Sequence, residues 1–493
     1  MINHSRVRIS FWLSAVICFT AIVLLLILLD INKIIVIKSH AFGLTFDLLC
    51  IFLTISIVVI FVFYYLVRKK FDFFEFPVWF TLNVYFQVIV NIWLFQRNYH
   101  FYSPWLVSQP EKYANQTVLL IWGGLVIIWF VYFFGIRGNS KYTKPQIVNQ
   151  LKPRLKVMFV IWFITWLISL FSTISGAQGY LSANTSFIGE NYLLLISLIN
   201  NLATFNLMIY YFKTPTKWGK VWIVFVCSVS LLEGLIIGTK SAIFIFLYLI
   251  MCYFYSRGQL PKKWLVVCVI AVFLVVPIVN TFRSNLFSSG YNRSSGASLV
   301  DRLPILQNSI AETFNQPLID IFVQTRDTFE VRQGSIFEVT AAFLAVHPKF
   351  QPFVFKDLMD SIAITIIPRF IWVDKPTTRP NIYNISTNYL GAINESSFAA
   401  SGQIADAYRI GGVLFLFTWL GFITWLISKS YKAGPGKGSI SGTAFYLLLI
   451  SGIITYDNDV FSTIMRLLQF GIILFFINNY LFFYRKEQTQ SRE

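Results

Sequence analysis

Long, unbroken apolar runs are the feature that most limits what this chain can fold into. One of them, AIVLLLILL at residues 21–29, contains no polar side chain. A helix needs about 20 apolar residues to cross the hydrocarbon of a bilayer, whereas the strands of a membrane barrel alternate apolar and polar residues. The chain is 56% hydrophobic and 13% charged, which excludes an ordinary soluble class. We therefore predict an all-α integral membrane protein.

Hydropathy predicts about twelve membrane-spanning helices. They are placed near residues 11–29, 46–67, 76–96, 117–136, 155–174, 191–212, 220–237, 240–256, 263–281, 411–428, 440–457 and 460–483. About nine of them precede one long polar stretch and about three follow it. The sequence thus predicts a bundle at 1–281, one large loop at 282–409, and the rest of the bundle with a cytoplasmic tail at 410–493.

Basic residues recur in every second connection, and this pattern orients the chain. Clusters occur at 68–70, 137–156, 213–220 and 429–437, whereas the alternate connections carry few Lys or Arg. Because cytoplasmic connections are enriched in these residues, we predict that both termini are cytoplasmic and that the large loop is extracytoplasmic. The same pattern accounts for the net charge of +18, so we expect no nucleic-acid partner.

The sequence lacks the common motifs for bound nucleotides and metals. It contains no P-loop, no GxGxxG, no HExxH and no CxxC. Its four histidines fall in different connections, which argues against a histidine metal cluster. One DND triplet, at 457–459, could hold a metal or cap the last span. We predict neither a metal nor a cofactor.

Two apolar segments lie within the large loop. They are SIFEVTAAFLAV at 335–346 and SIAITIIPRFIW at 361–372. Such segments fit short amphipathic or re-entrant helices at the outer membrane face. Their aromatic and branched residues argue against disorder.

Several charged residues lie in or beside predicted spans, where an unpaired charge costs at least about 2.5 kcal/mol. Arg466 could pair with Glu233 or Asp459, or it could bind a substrate. Lys240 could extend its ammonium to the membrane interface or belong to a site. Arg283 could anchor its helix or hold an anion, since a guanidinium binds phosphate oxygens through two hydrogen bonds.

The segment IIPRFIWVDKPTTRP, at 366–380, is the most distinctive local pattern in the chain. Its prolines stiffen it, Arg369 and Lys375 bracket aromatic residues, and Asp374 stands beside Lys375. Trp372 could stack on a sugar or bury the loop against the bundle. These residue types suit an exposed binding segment.

A second polar stretch, AASGQIADAYRIGGVLF at 399–415, leads from the loop into the next predicted span. It contains Asp406, Tyr408 and Arg409. The glycine pair at 411–412 predicts a tight entry into the helix. We therefore expect this stretch to place polar side chains at the outer end of the bundle.

The order of these parts resembles the Wzy-type polymerases of oligosaccharide repeat units. These proteins build bacterial O-antigen, capsule and exopolysaccharide, and they are distantly related to O-antigen ligases. PRFIWVDKP at 368–376, AYRIGG at 407–412 and GTKSA at 238–242 are similar to the family's motifs. The likeness covers most of the chain by topology and about fifteen residues by motif. Lys240 is a departure, because the related motif often has arginine there.

The resemblance implies a reaction that needs neither nucleotide nor metal. A growing glycan on undecaprenyl diphosphate would be transferred to the terminal sugar hydroxyl of an incoming lipid-linked repeat unit, with undecaprenyl diphosphate as the leaving group. The resemblance also implies a GT-C-like bundle in the bacterial inner membrane, in contact with membrane lipid. A chain-length regulator and a flippase of the same pathway would be its partners.

The resemblance also suggests roles for individual residues. Cations would stabilise the charge that develops on the departing diphosphate, and a carboxylate or histidine would take the acceptor's proton. The catalytic candidates are Arg283, Lys240, Arg369, Asp374 and His347. The substrate-binding candidates are Lys375, Arg379, Arg409, Trp372, Tyr408 and Arg466. Glu395 and Asp406 are further candidates for the base. His347 would correspond to the functional histidine in the large loop of ligases. The alternative is that His347 is an ordinary histidine in a turn.

Two other classes share part of this pattern. A ligase that delivers finished glycan to the lipid A core would share the bundle, the loop and the cationic site, and would differ in its acceptor. A transporter would need charged or glycine-broken segments near mid-membrane in corresponding halves. Here the charges gather toward the outer ends of the predicted spans. The sequence favours a polymerase over a ligase, and both over a transporter.

Overall fold

The computed structural model describes residues 41–68, 71–95, 100–136, 152–174, 187–238, 244–291, 299–366, 385–390, 401–454 and 459–484. These residues are almost entirely helical, which confirms the predicted all-α character. One short antiparallel pair joins β1 (Lys152–Pro153) to β2 (Phe483–Tyr484). The predicted span at 11–29 lies outside the described residues.

Sixteen α-helices are described within these ranges. They are α1 (Gly43–Arg68), α2 (Phe76–Val84), α3 (Pro110–Ile136), α4 (Leu155–Ile174), α5 (Phe187–Lys213), α6 (Lys217–Ile237), α7 (Phe244–Arg257), α8 (Lys262–Ser288), α9 (Leu299–Phe314), α10 (Leu318–Val346), α11 (Phe355–Ile366), α12 (Ile385–Leu390), α13 (Gly402–Ala433), α14 (Ile440–Leu448), α15 (Val460–Arg466) and α16 (Ile472–Phe476).

Eight of the described helical stretches are long and apolar enough to cross a membrane. They are Gly43–Arg68, Phe76–Trp93, Pro110–Phe134, Leu155–Ser172, Leu193–Lys213, Lys217–Ile237, Lys262–Ser288 and Gly402–Lys437. Shorter apolar helices occur at Ile245–Arg257, Ile336–Val346, Ile440–Ile453 and Ile472–Leu481. The protein is therefore a multi-pass membrane protein by length and composition. The predicted spans near 240–256, 440–457 and 460–483 correspond to shorter helices.

Some of these helices contain π-helical turns. They extend α2 as Tyr85–Phe95, α14 as Leu449–Ile453, α15 as Leu467–Gly471 and α16 as Ile477–Leu481. A π-helical turn inserts extra backbone into a helix and frequently accompanies a functional site. It also exposes carbonyl groups to side chains from other helices, as Arg466 shows below.

The surface of the bundle is apolar on the outside as well as the inside, and α1 shows this best. Its buried residues Phe46, Cys50, Leu53 and Ile57 recur at helical spacing and pack inward. The opposite face is apolar too, with Leu44 72% exposed. A helix that is apolar all round is stable when its outer face meets lipid, which supports the membrane assignment.

One end of the bundle, the basic end, gathers residues from connections that the charge pattern assigned to the cytoplasm. Arg68 Nη2 lies 2.7 Å from Glu75 Oε1, which also accepts a hydrogen bond from Tyr132 at 2.5 Å. Tyr431 donates to Asp72 Oδ2 at 2.7 Å. These residues come from separate helix ends, and the structure brings them together at one end of the bundle.

The apolar segment of α10 lies across the opposite end of the bundle. Phe337 stacks on Phe42 and Phe101 beside the start of α1, and the helix ends at His347. Nearly every side chain of Ile336–Val346 is buried. The segment is enclosed by the bundle and does not lie on its surface, because α3, α13 and the π-helical extension of α2 pack against α10. That it is re-entrant in the membrane stays a prediction.

Two helices of the loop have one buried and one exposed face. On α9, Arg302 and Leu306 are buried while Val300 is 79% exposed. On α11, Leu358 is buried and Met359 is exposed. These helices have the amphipathic character that was predicted for the loop. Of the predicted segment at 361–372, the structure describes residues 361–366.

Candidate functional site

Two arginines converge on the C-terminal end of α6. The helix ends at Gly238, whose φ of 72° is the left-handed cap conformation. Arg283 of α8 donates through Nε to the carbonyl oxygen of Gly238 at 2.7 Å. Arg302 of α9 donates through Nη1 to the carbonyls of Ile237 and Ile236 at 3.3 and 3.4 Å. The last carbonyls of a helix have no partner within it and carry partial negative charge, which explains this attraction.

Arg302 was not among the residues that the sequence singled out. Its side chain is fully buried, and burial lowers the pKa of the guanidinium, which nevertheless remains charged in proteins. It shares the buried face of α9 with Leu306, Ser309 and Thr313. A charge inside the buried stripe of an amphipathic helix was the signal that could have identified it.

Arg283 lies against the first residue of the GTKSA segment, since it binds the carbonyl of Gly238. Lys240 comes two positions later and lies outside the described residues. Its role as a cation beside Arg283 therefore stays a prediction. We call Arg283 and Arg302 at the end of α6 the arginine pair.

A mostly apolar pocket of about 380 Å³ lies on α9, the helix that carries Arg302. It is lined by Leu303, Pro304, Leu306, Gln307 and Ile310. The pocket is open to the surroundings of the bundle, and its size is in the range of ordinary ligand pockets. It is suited to an apolar chain rather than to a charged group.

His347 forms the centre of a second group of polar residues and is 2% exposed. Its Nδ1 lies 3.0 Å from the carbonyl oxygen of Pro352 and 3.2 Å from that of Gln351. Both carbonyls are acceptors only, so Nδ1 carries the proton and Nε2 has the lone pair. Tyr389 places its hydroxyl 2.9 Å from Nε2 and 3.4 Å from Oε1 of Gln351, so the nearer acceptor, Nε2, takes its proton in the shorter hydrogen bond.

The surroundings keep His347 neutral. Burial lowers the pKa of its imidazole most strongly and outweighs the hydrogen bonds to the carbonyls of Pro352 and Gln351, which raise it; the charge of Arg409 also lowers it. Burial raises the pKa of the Tyr389 hydroxyl, while Arg409 opposes that rise through its charge and a hydrogen bond. A neutral imidazole bonded to a phenol is the form in which a histidine can accept a proton.

Arg409 is held beside this histidine by a buried ion pair with Asp406. Oδ1 of Asp406 accepts from Nε and Nη2 of Arg409 at 2.9 and 2.6 Å. Its Oδ2 accepts from the backbone N–H of Val460, at the start of α15, at 2.8 Å. Asp406 is fully buried and accepts three hydrogen bonds, so it positions Arg409 and is ill placed to serve as a general base.

Tyr408 and the glycine pair complete the group. Tyr408 donates to the backbone carbonyl of His347 at 3.2 Å. The backbone of α13 departs from helical geometry at Gly411 and Gly412, where Gly412 has a φ of 68°. A Cβ at Gly412 would lie 2.9 Å from Cζ of Phe353. The glycine pair therefore forms a kink inside α13, whereas the sequence predicted the entry into the helix there; the helix begins earlier, at Gly402. We call His347, Tyr389, Asp406, Tyr408 and Arg409 the histidine cluster.

Arg466 and Glu233 do not follow the pairing that was considered for them. Arg466 donates to the carbonyl of Gly452, in the π-helical turn after α14, at 3.0 Å. Glu233 accepts from Ser169 at 2.6 Å. A π-helical carbonyl is a partner that hydropathy does not reveal. Substrate binding by Arg466 stays a prediction.

Asp459 of the DND triplet caps α15, which is one of the two roles that the sequence left open for the triplet. It accepts from the backbone N–H of Ser462 at 2.5 Å and from its hydroxyl at 2.8 Å. Within the described ranges, no group of three or more His, Cys, Asp or Glu side chains is placed to hold a metal ion.

The remaining candidates lie in segments outside the described residues. Residues 367–384 contain five of them: Arg369, Trp372, Asp374, Lys375 and Arg379. Residues 391–400 contain Glu395. Their catalytic and binding roles stay predictions. Both segments flank α12, the helix that carries Tyr389.

Comparison with known proteins gives a family without a known activity. Residues 130–483 match the model of a domain of unknown function, DUF8712. No curated protein and no solved structure matches the chain. The matched region contains both the arginine pair and the histidine cluster. Because it covers most of the sequence, the chain belongs to the DUF8712 family.

Proposed function

We propose that this protein polymerises undecaprenyl-diphosphate-linked oligosaccharide repeat units at the outer face of the bacterial inner membrane. The arginine pair is the observation that carries the proposal. A lipid diphosphate combines a strongly anionic group with a long apolar chain. The protein offers two guanidinium groups, from Arg283 of α8 and Arg302 of α9, and an apolar pocket on α9. Cations fixed in a water-poor site stabilise a departing diphosphate most effectively.

The carbonyl contacts of the arginine pair serve this purpose by orienting the guanidinium planes before a substrate arrives. Preorganised donors need no rearrangement when charge develops on the leaving group. Lys240 follows the same helix end in sequence and would add a third cation. The glycosyl-diphosphate bond supplies the driving force, so the reaction needs no nucleotide.

The histidine cluster supplies the second requirement, a proton acceptor. The acceptor sugar hydroxyl would pass its proton to the oxygen of Tyr389 as the phenolic proton moves to Nε2 of His347. The new glycosidic bond would form while the bond from the sugar to the diphosphate breaks, and the negative charge would stay on the diphosphate. Helix α10 packs against both α8 and α13, and so links the two groups.

Access to Tyr389 requires a movement, because its side chain is only 3% exposed. The described residues over it belong to the connection between α2 and α3, where Ser103 and Trp105 bind the backbone of α12. Closing such a site over the acceptor would exclude water, which otherwise competes for the glycosyl group.

A ligase is the second candidate, and His347 is the observation that favours it. The resemblance of the sequence extends to ligases, which are associated with a functional histidine in the large loop. The two reactions share donor and leaving group and differ only in the acceptor. The histidine cluster therefore fits both a polymerase and a ligase.

Deletion of the gene, followed by a glycolipid gel, tests the proposal. Loss of long polymer with one repeat unit still attached to the lipid A core supports a polymerase. Loss of all attached glycan supports a ligase. A normal ladder in the deletion strain would overturn both assignments. Membrane abundance of the flippase should be measured in parallel, because its loss would also abolish polymer.

A further inference from the structure

Glu338 is a buried carboxylate on α10, the helix that ends at His347. Its side chain is 3% exposed. Its Oε1 accepts hydrogen bonds from the backbone N–H groups of Tyr102 and Ser103, both at 2.5 Å. Bonds from N–H groups to a carboxylate are stronger than those to a neutral acceptor. Glu338 therefore fastens the connection between α2 and α3 to α10.

This connection in turn holds α12. Ser103 donates through Oγ to the carbonyl oxygen of Tyr389 at 2.5 Å. Trp105 donates through Nε1 to the carbonyl of Asn388 at 3.3 Å. Both acceptors lie in the last turn of α12, where helix carbonyls have no partner within the helix. The six-residue helix thus has its C-terminal end bound from outside.

The position of the Tyr389 hydroxyl depends on this attachment. Tyr389 belongs to α12, whereas His347 follows α10, and they are joined by a 2.9 Å hydrogen bond. The ring of Tyr389 also packs edge-on against Phe343 of α10, with centroids 4.7 Å apart. This packing limits the orientation of the Tyr389 ring. The contact from Ser103 to the backbone of Tyr389 sets the position of that residue along α10.

We propose that Glu338 is a positioning residue that holds Tyr389 on Nε2 of His347 through the Tyr102–Ser103 backbone. This inference rests on the proposed function for its effect on turnover. The predicted effect on the contact between Tyr389 and His347 does not depend on the proposed function, because it concerns contacts within the protein. Loss of the carboxylate would free the connection, displace α12 and break the bond between phenol and imidazole.

The titration of His347 tests the geometry without any activity measurement. The phenol donates to the neutral imidazole, so its loss favours protonation and raises the pKa of His347. The chain has four histidines, and ¹⁵N-histidine labelling of the whole protein in detergent gives few signals, which a His347→Gln variant assigns. Tyr389→Phe and Glu338→Ala should both raise the titration midpoint of His347. Glu111→Ala, an exposed carboxylate at the same end of the bundle, should not change it.

Kinetics test the functional part. With a purified lipid-linked repeat unit, Glu338→Ala should lower kcat by about 10- to 100-fold and change KM little, since misplacement of a catalytic group by about 1 Å has effects of this size. Glu338→Gln keeps an acceptor oxygen in the same place and should restore part of kcat. An unchanged midpoint for His347 in Glu338→Ala, when Tyr389→Phe shifts it, would overturn the inference.

Other outcomes separate this inference from the proposed function. If both variants shift the His347 midpoint but polymer synthesis is normal, the positioning contact stands and the proposed function fails. If Glu338→Ala does not accumulate in the membrane, Ser103→Ala and Glu338→Gln decide. Ser103→Ala removes the hydrogen bond to α12, and Glu338→Gln weakens the hydrogen bonds to the Tyr102–Ser103 backbone. A raised titration midpoint of His347 in these variants supports the inference, and wild-type midpoints in both variants overturn it.

Discussion

The hydroxyl of Tyr389 lies 2.9 Å from Nε2 of His347, and both side chains are almost completely buried. The two backbone carbonyls at Nδ1 assign the proton to that nitrogen and leave Nε2 as the acceptor. An exposed turn histidine would have none of these restraints. His347 is therefore held in one tautomer and one orientation, as a general base would need.

Tyr389→Phe should remove this hydrogen bond and leave Nε2 buried without its donor. We expect a loss of about 1–3 kcal/mol in the free energy of unfolding, together with slower polymer synthesis. Thermal unfolding in detergent measures the first effect, and a glycolipid gel measures the second. Tyr102→Phe is the matched control because Tyr102 is 81% exposed. Equal behaviour of the two variants would contradict the assignment.

Acidification should destabilise the protein through His347. Its folded-state pKa lies below the ordinary value of 6.5. A histidine shifted in this direction stabilises the fold above that value, and the stabilisation is lost as the pH falls toward the folded pKa. The difference in melting temperature between wild type and His347→Gln should therefore shrink between about pH 7.5 and about pH 5.5. A difference that grows on acidification would contradict the buried neutral form.

Substitution of either arginine of the pair should abolish long polymer. Arg283→Ala and Arg302→Gln each remove a planar cation from the end of α6. Arg302→Lys should not restore function, because an ammonium lacks the fork geometry of a guanidinium. The readouts are the glycolipid ladder and, by immunoblot, membrane abundance. Arg257→Gln, an exposed arginine at the basic end, serves as control. A normal ladder for Arg283→Ala would refute the diphosphate role.

Asp406→Ala should be strongly destabilising, because it leaves the buried Arg409 without its carboxylate. Removing one partner of a buried pair costs about 3–5 kcal/mol. The double variant Asp406→Leu/Arg409→Met should lose less stability than Asp406→Ala, since no buried charge remains. Chemical unfolding of the variants in detergent measures both, with the exposed Asp360→Ala as reference. A double variant that is the less stable of the two would show that the pair itself stabilises the fold.

Gly412→Ala should disturb the kink that places Arg409 and Tyr408. The φ of 68° disfavours any residue with a Cβ, and the added atom would lie 2.9 Å from Phe353. We expect a loss of more than about 1 kcal/mol in the free energy of unfolding. Gly421→Ala, on the same helix, is the control, because its Cβ would meet Val131 at an ordinary 3.6 Å. Similar melting temperatures for the two variants would argue against strain at the kink.

Sequence reasoning found the residues whose local pattern is unusual. Arg283 stood at the outer end of an apolar helix, and the glycine pair at 411–412 interrupted another. The glycine pair marks a break in helical geometry, whereas Arg283 binds the carbonyl at the end of α6, a partner that the sequence did not indicate. His347 was a candidate only through a family resemblance. Arg302 had a weak signal, a charge in an apolar stripe. Tyr389, in the polar stretch NISTNYL, had none.

Local composition by itself determined that this chain is an all-α membrane protein, because the free energy of placing a helix in lipid depends on the residues of that helix alone. Only the tertiary structure decided which polar groups meet. Glu338 reaches Ser103 across 235 positions and Arg302 reaches Ile237 across 65. Such contacts depend on how helices distant in sequence pack together, and buried polar atoms take whichever partner that packing provides.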